Sequence, residues 1–184
     1  MSKTDVLKSR NEVFAASFSE GDLAPLPKLG IVILACIDAR VNPTKVFGLE
    51  LGDAVVMRNN GGRVTPAIID EITALSFLVT RITGNEAPAF NIVLMQHTKC
   101  GAQQFAAPDF QAHLIDRTGV DVSLSAITDP ENDLLVDVER LCAAQNLPNS
   151  LSVSAMLYDV DTGLVHEVMG PQSLANLRSQ RSIS

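Results

Sequence analysis

Apolar and polar positions alternate along the chain in blocks of two kinds. Short apolar runs at about 30–36, 54–57, 90–97, 151–158 and 164–168 read as strands. Gly30-Ile31-Val32-Ile33-Leu34 and Asn91-Ile92-Val93-Leu94-Met95 are nearly continuous, as expected of parallel strands covered on both faces. Leu151 to Tyr158 alternates, and Leu164 to Val168 is a short return strand after the turn signal Asp161-Thr162-Gly163. Longer blocks carry helical spacing. Residues 3–18 place Val6, Leu7, Val13, Phe14 and Phe18 along one helix. Residues 65–83 carry a broad stripe, Ile68, Ile69, Ile72, Leu75, Leu78, Val79 and Ile82, suited to covering a sheet. Residues 129–146 turn Leu134, Leu135, Val138, Leu141 and Cys142 inward.

Helix starts are marked three times by a capping residue followed by proline: Asn42-Pro43, Thr65-Pro66 and Asp129-Pro130. Shorter helices are expected from Pro43 to about Gly48, from Cys100, and over 109–117, with Val120 to Thr128 irregular. The segment 19–28, with Gly21, Pro25 and Pro27, is a connector. Such an arm leaves two placements open for the first helix: on its own domain or on a partner chain. The polar tail after Gly170-Pro171 either frays or lies across a neighbour. Strand–helix alternation predicts an α/β fold: a mostly parallel central sheet flanked by helices, with an N-terminal helical arm.

Composition narrows the function classes. The 184 residues fit a single domain, 1–184, and no apolar run approaches a membrane span. No secretory or transit segment is visible in Met1 to Arg10, so the cytoplasm is the expected compartment. The net charge of −7, without a basic cluster, argues against nucleic acid as a partner. Three cysteines, an odd number, argue against a disulfide framework and for metal or nucleophile roles.

The candidate chemistry follows two of the strands. Cys36-Ile37-Asp38-Ala39-Arg40 follows the first, and His97-Thr98-Lys99-Cys100-Gly101 ends the third. Ligand sites in open α/β sheets lie outside the carboxyl ends of the strands, so the two segments can converge. Cys36, His97 and Cys100 together have the composition of a zinc site with one open position. If the chain stays extended, Cys36, Asp38 and Arg40 fall on one side, and Asp38 should pair with Arg40. A helix start at Cys100 would lower its thiol pKa. Gly61-Gly62 after the second strand reads either as an ordinary turn or as a cleft wall offering backbone N–H groups. Cys142 reads as core, and His113, His166 and Lys99 as surface residues.

The stretch from about Ile31 to Gly101 resembles the β-class carbonic anhydrase family. The matching pieces are Cys36-Ile37-Asp38-Ala39-Arg40, Gly48-Leu49-Glu50-Leu51-Gly52-Asp53, Arg58-Asn59-Asn60-Gly61-Gly62 and His97-Thr98-Lys99-Cys100-Gly101. The resemblance implies Cys36, His97 and Cys100 as ligands of one zinc ion per chain, and Asp38 with Arg40 as the catalytic pair. Asn60, Gly61 and Gly62 would border the substrate. One departure is Asn60, where family members usually carry alanine. The resemblance also implies a homodimer or higher homo-oligomer, with the helix and arm of residues 1–28 reaching over the partner subunit.

Two thiolates and a neutral imidazole leave zinc formally near neutral, so its water is less acidic than on three histidines. Asp38 would orient the resulting hydroxide toward a small linear electrophile, and Arg40 would keep Asp38 off the metal. Released from Arg40, Asp38 would become a fourth ligand and close the site. The leading expectation is reversible hydration of carbon dioxide to bicarbonate. The compact branch of the family that this chain resembles also contains hydrolases of carbonyl sulfide and carbon disulfide, which sets the alternative. A structural or regulatory zinc protein is the third reading.

Overall fold

The computed structural model describes residues 2–181. Met1 and residues 182–184, the two ends of the expected 1–184 domain, lie outside them. The elements run α1 (Lys3–Ala15), β1 (Ile31–Cys36), α2 (Pro43–Val46), β2 (Ala54–Asn59), α3 (Pro66–Thr83), β3 (Asn91–His97), α4 (Pro108–Thr118), α5 (Pro130–Ala143), β4 (Ser152–Tyr158), β5 (Val165–Ser173) and α6 (Leu174–Arg181). One sheet has the order β2-β1-β3-β4-β5, parallel except for β5. Among the described residues, no helix is long and apolar enough to cross a membrane.

The expected caps form. Asn42, Thr65 and Asp129 each accept a backbone N–H from the first turn of α2, α3 and α5, with proline just inside. β1 and β3 bury nearly every residue, because helices and loops cover both faces of the sheet. Val32, Leu34, Ile92 and Leu94 face α3 and α5, together with Ile72, Leu134 and Leu141. Ile33, Ala35, Val93 and Met95 face the other way, toward Val41 and the α2 segment.

Several expectations are corrected. α1 ends at Ala15, so Phe18 belongs to the arm, where its ring lies 5.5 Å from that of Phe14. No residue of α1 is buried, and Leu7, Val13 and Phe14 face solvent. The stripe on α3 is only half used: Ile68 and Ile72 are buried, whereas Leu78 and Ile82 are exposed beside Phe77. Leu135 is 46% exposed, because Asp133 and Asp137 share the inward face of α5 with Leu134, Val138 and Leu141. The segment after Cys100 is a 3-10 turn, Gly101–Ala106, before α4 begins at Pro108.

As far as Arg181, the tail neither frays nor leaves the domain. β5 runs through Gly170-Pro171, which is tolerated because β5 is an edge strand with a register shift opposite. α6 then returns along α5. Its Arg178 donates to the carbonyls of Cys142, Ala144 and Leu147, carbonyls at or just beyond the end of α5.

The buried acids of α5 form an ion network. Arg63 is 3% exposed; its Nε meets Asp137 Oδ2 at 2.7 Å, and its Nη1 meets Asp133 Oδ1 at 2.8 Å. Arg140 Nη1 reaches the second Asp137 oxygen at 2.8 Å. Asp133 Oδ2 accepts the N–H groups of Thr128 and Asp129, which orders the loop before α5. Burial pushes the Asp137 carboxyl up, and the Arg63 guanidinium pulls it back. Removing one partner leaves an unpaired buried charge. Asp137→Ala is expected to lower unfolding free energy by about 3–5 kcal/mol, read from the midpoint of urea denaturation at constant slope.

Candidate metal centre

β1 stops at Cys36 because the following residues turn away from the sheet. Ile37 N–H still reaches the Asn59 carbonyl at 3.0 Å, and Val41 N–H then donates to the Asp38 carbonyl at 2.9 Å. Extended geometry is therefore not what unites Cys36, Asp38 and Arg40. Asp38 and Arg40 are joined by a side-chain turn, in which Asp38 Oδ1 accepts the Arg40 backbone N–H at 2.9 Å. The Arg40 guanidinium closes the same carboxylate in two-pronged fashion, Nε to Oδ1 at 3.0 Å and Nη2 to Oδ2 at 2.6 Å. Arg58, from β2, holds the loop beneath: it donates to the carbonyls of Cys36, Asp38 and Val41 at 2.9, 2.8 and 2.7 Å.

The second segment starts at the end of β3. Thr98 N–H donates to the Tyr158 carbonyl, and Lys99 adopts φ +54°, a left-handed conformation uncommon outside glycine. That bend aims the Lys99 carbonyl at Arg40 Nη2, 3.0 Å away. Arg40 thus ties the two chemical segments together.

Cys36, His97 and Cys100 converge. All three are buried, and their donor atoms lie within 4.8 Å of one another. The two sulfurs are 3.8 Å apart. His97 Nδ1 lies 2.9 Å from the Thr98 carbonyl, which can only accept, so Nδ1 carries the proton. Nε2 has no protein partner, although it is buried. The hydrogen bond from Cys100, with further help from His97, holds the Cys36 thiol well below the ordinary cysteine value. Asp38 N–H also donates to the Cys36 sulfur at 3.4 Å. Cys100 is pushed up instead, by the same shared bond and by burial, and so departs from the lowering expected at a helix start.

This donor set fits a divalent metal ion. Zinc held tetrahedrally at sulfur distances of about 2.3 Å sets two sulfurs about 3.8 Å apart. Such an ion would also replace the shared proton and engage the orphaned imidazole nitrogen.

Beside the donors lies a cleft of about 220 Å³, lined by Cys36, Ile37, Asp38, Asn60, Gly61, Gly101, Ala102 and Phe105. Asn60 is exposed at its edge, and Gly61 and Gly62 are buried. Both glycines have left-handed φ, +74° and +62°. A Cβ on Gly62 would come within 2.6 Å of Cys36 N, and one on Gly61 within 2.4 Å of the Ser125 carbonyl. The turn therefore seats directly on the end of β1. His113 and His166 lie on the surface away from the cleft, and His166 Nε2 meets Glu131 at 3.2 Å. The Lys99 amine pairs with Asp161 in solvent, and Cys142 is core.

Fold and cleft place the chain in a class first: α/β proteins whose parallel sheet presents sulfur and imidazole donors at its carboxyl edge, where a metal ion can be held. The sequence model of the carbonic anhydrase family matches residues 31–140. The chain is 30% identical to β-carbonic anhydrase 1 of Mycobacterium tuberculosis, with 91% of this chain and 99% of that protein covered. A crystal structure of carbonic anhydrase from Streptococcus mutans superimposes with a TM-score of 0.74 at 31% identity, covering 91% of this chain and 98% of that one. The carbon disulfide hydrolase of Saccharolobus solfataricus is 27% identical, with 80% of each chain covered. This chain belongs to the β-carbonic anhydrase family.

The Asp38 carboxyl is held well below the usual carboxylate range, chiefly by the side-chain hydrogen bonds from Arg40. A depressed acid stabilises the fold above its unfolded pKa, and that contribution is lost as pH falls through the folded value. An NMR titration of the Asp38 carboxyl carbon should find it still ionised below the ordinary aspartate value of about 3.9. Arg40→Ala should bring the midpoint back toward that value.

Proposed function

We propose that the chain is a zinc enzyme that reversibly hydrates carbon dioxide to bicarbonate. Cys36, His97 and Cys100 would hold one Zn2+ per chain, and Asp38 and Arg40 would be its catalytic pair. The observation that carries this reading is the convergence of three buried donors beside a carboxylate locked by a guanidinium, at the mouth of a small cleft. Zinc, when bound there, supplies the Lewis acidity that makes water a nucleophile near neutral pH.

The chain's own residues do the rest. Arg40 takes both acceptor positions of Asp38 Oδ1, through its backbone N–H and Nε, and one position of Oδ2, so Oδ2 keeps a lone pair to offer the cleft. Asp38 can then accept a hydrogen bond from the attacking water and fix its approach. The Lys99 carbonyl and the Arg58 bonds keep the pair from swinging toward the sulfurs. Asn60 and Gly61 bound the side on which a linear substrate would lie, with Gly62 behind them against the Cys36 backbone.

A second reading, hydrolysis of carbonyl sulfide or carbon disulfide with release of hydrogen sulfide, is favoured by the apolar part of the cleft, Ile37, Ala102 and Phe105. The carbon disulfide hydrolase relative points the same way. A purely structural or regulatory zinc site is disfavoured, because it would need a fourth donor, and the Asp38 carboxylate is committed to Arg40. The exposed apolar residues of α1 suit a homodimer in which residues 1–28 pack on the partner subunit. Free thiols suit the cytoplasm.

Metal analysis should find one zinc per purified chain, lost in Cys36→Ser and His97→Ala. Stopped-flow hydration of carbon dioxide, run beside sulfide release from carbonyl sulfide and carbon disulfide, separates the two enzymatic readings. Arg40→Ala and Asp38→Asn should keep their zinc and lose about 10²–10⁴-fold in kcat. Zinc-free native protein, or full activity in both variants, would refute the proposal. Light scattering should show dimers that dissociate when residues 1–28 are removed.

A further inference from the structure

Gln96 sits next to His97 on β3, fully buried, and takes no part in the donor cluster. Its Nε2 donates to the Gly61 carbonyl at 2.8 Å and to the Gly62 carbonyl at 3.3 Å. Its Oε1 is buried without a protein partner. Reversing the amide would set Oε1 against two carbonyl oxygens, so the orientation is dictated by its surroundings. Gln96 shares its strand face with Leu94 and Ile92, core residues at which an aliphatic side chain would avoid a stranded amide oxygen. The buried amide therefore carries a stability cost.

What it holds is the cleft wall. Two successive glycines have the greatest backbone freedom of any dipeptide, so such a turn needs fixing from outside. Asn59 fixes one end: its amide donates to the Arg63 carbonyl at 2.8 Å and its oxygen accepts the Arg63 N–H at 2.9 Å. Gln96 fixes the middle, from the strand that also carries His97. Gly62 in turn presses on the backbone at Cys36.

We propose that Gln96 is a positioning residue of the cleft: its amide clamps the Gly61–Gly62 turn to β3 and so sets the distance between the cleft wall and the Cys36–His97–Cys100 cluster. This rests on the reading of that cleft as the place where the substrate lies.

Two variants of the zinc-loaded protein test it, Gln96→Met and Gln96→Glu. Methionine keeps the volume and removes the donor. Gln96→Met should keep its zinc and its cooperative unfolding. Amide hydrogen exchange over Gly61–Arg63 should quicken about tenfold while exchange in β3 and β4 stays native. Its kcat/KM for carbon dioxide should fall about 10–100-fold by the same factor at every pH. An ionised glutamate cannot donate and repels the two carbonyls; a protonated one donates a single bond. The ratio of Gln96→Glu to native kcat/KM should therefore rise as pH falls, a signature that a simple packing defect does not produce. Native exchange over Gly61–Arg63 in Gln96→Met overturns the proposal, as does faster exchange with native kcat/KM. Failure of both variants to unfold cooperatively also overturns it, and makes Gln96 a stability residue. If the native protein turns over none of the gases, the functional reading falls, and the exchange data alone decide for or against the clamp.

Discussion

Two buried sulfurs 3.8 Å apart set the terms for everything around them. Neither can be charged beside a charged neighbour in so dry a place unless a cation neutralises both. Without one they share a proton, which is why Cys36 is pulled down while Cys100 is driven up. The imidazole between strand and turn could serve the same cation, since its Nδ1 is already committed to Thr98 and its Nε2 has no partner. The carboxylate alongside is held by Arg40 with three bonds from one residue.

Holding such a group together falls mainly to arginines and amides reaching for carbonyls. Arg58 spans three carbonyls of the loop after β1, and Arg63 joins the glycine turn to α5 through Asp133 and Asp137. Each of these side chains crosses between elements distant in sequence. The cleft is thus rigid by construction: its wall, floor and donors belong to three adjacent parallel strands and the turns directly after them.

The parts of this arrangement that sequence makes legible are those with local causes. Strand positions followed from continuous apolar runs, and helix starts from Asn42-Pro43, Thr65-Pro66 and Asp129-Pro130. The family resemblance marked the Cys36 and His97 segments, and their place at strand ends explained why they could meet. What remained hidden depends on long-range pairing. Asp133 and Asp137 look like ordinary surface acids until Arg63 is brought to them, although their spacing of four, interleaved with Leu134, Val138 and Leu141, was a usable sign. Gln96 gave a weaker sign, a polar residue inside an otherwise apolar strand. The Asp38–Arg40 pair is legible, but the turn that folds Arg40 back on Asp38 is not, because strand periodicity does not show where β1 ends. The C-terminal tail is hard to read from sequence, because Pro171 and polar residues usually mark an end; here the edge position of β5 tolerates them and Arg178 secures α6.

The two margins of the sheet are unlike. β5 carries Pro171, a register irregularity and the exposed His166 and Glu167, all of which discourage another strand from adding there. β2, at the opposite margin, is an apolar ribbon from Ala54 to Met57 with no strand paired on its outer side among the described residues. Lateral growth of the sheet is therefore possible in one direction only. A ribbon that met its own copy antiparallel across a two-fold axis would use up both free margins at once, so such growth would terminate at a pair rather than run on into a fibre.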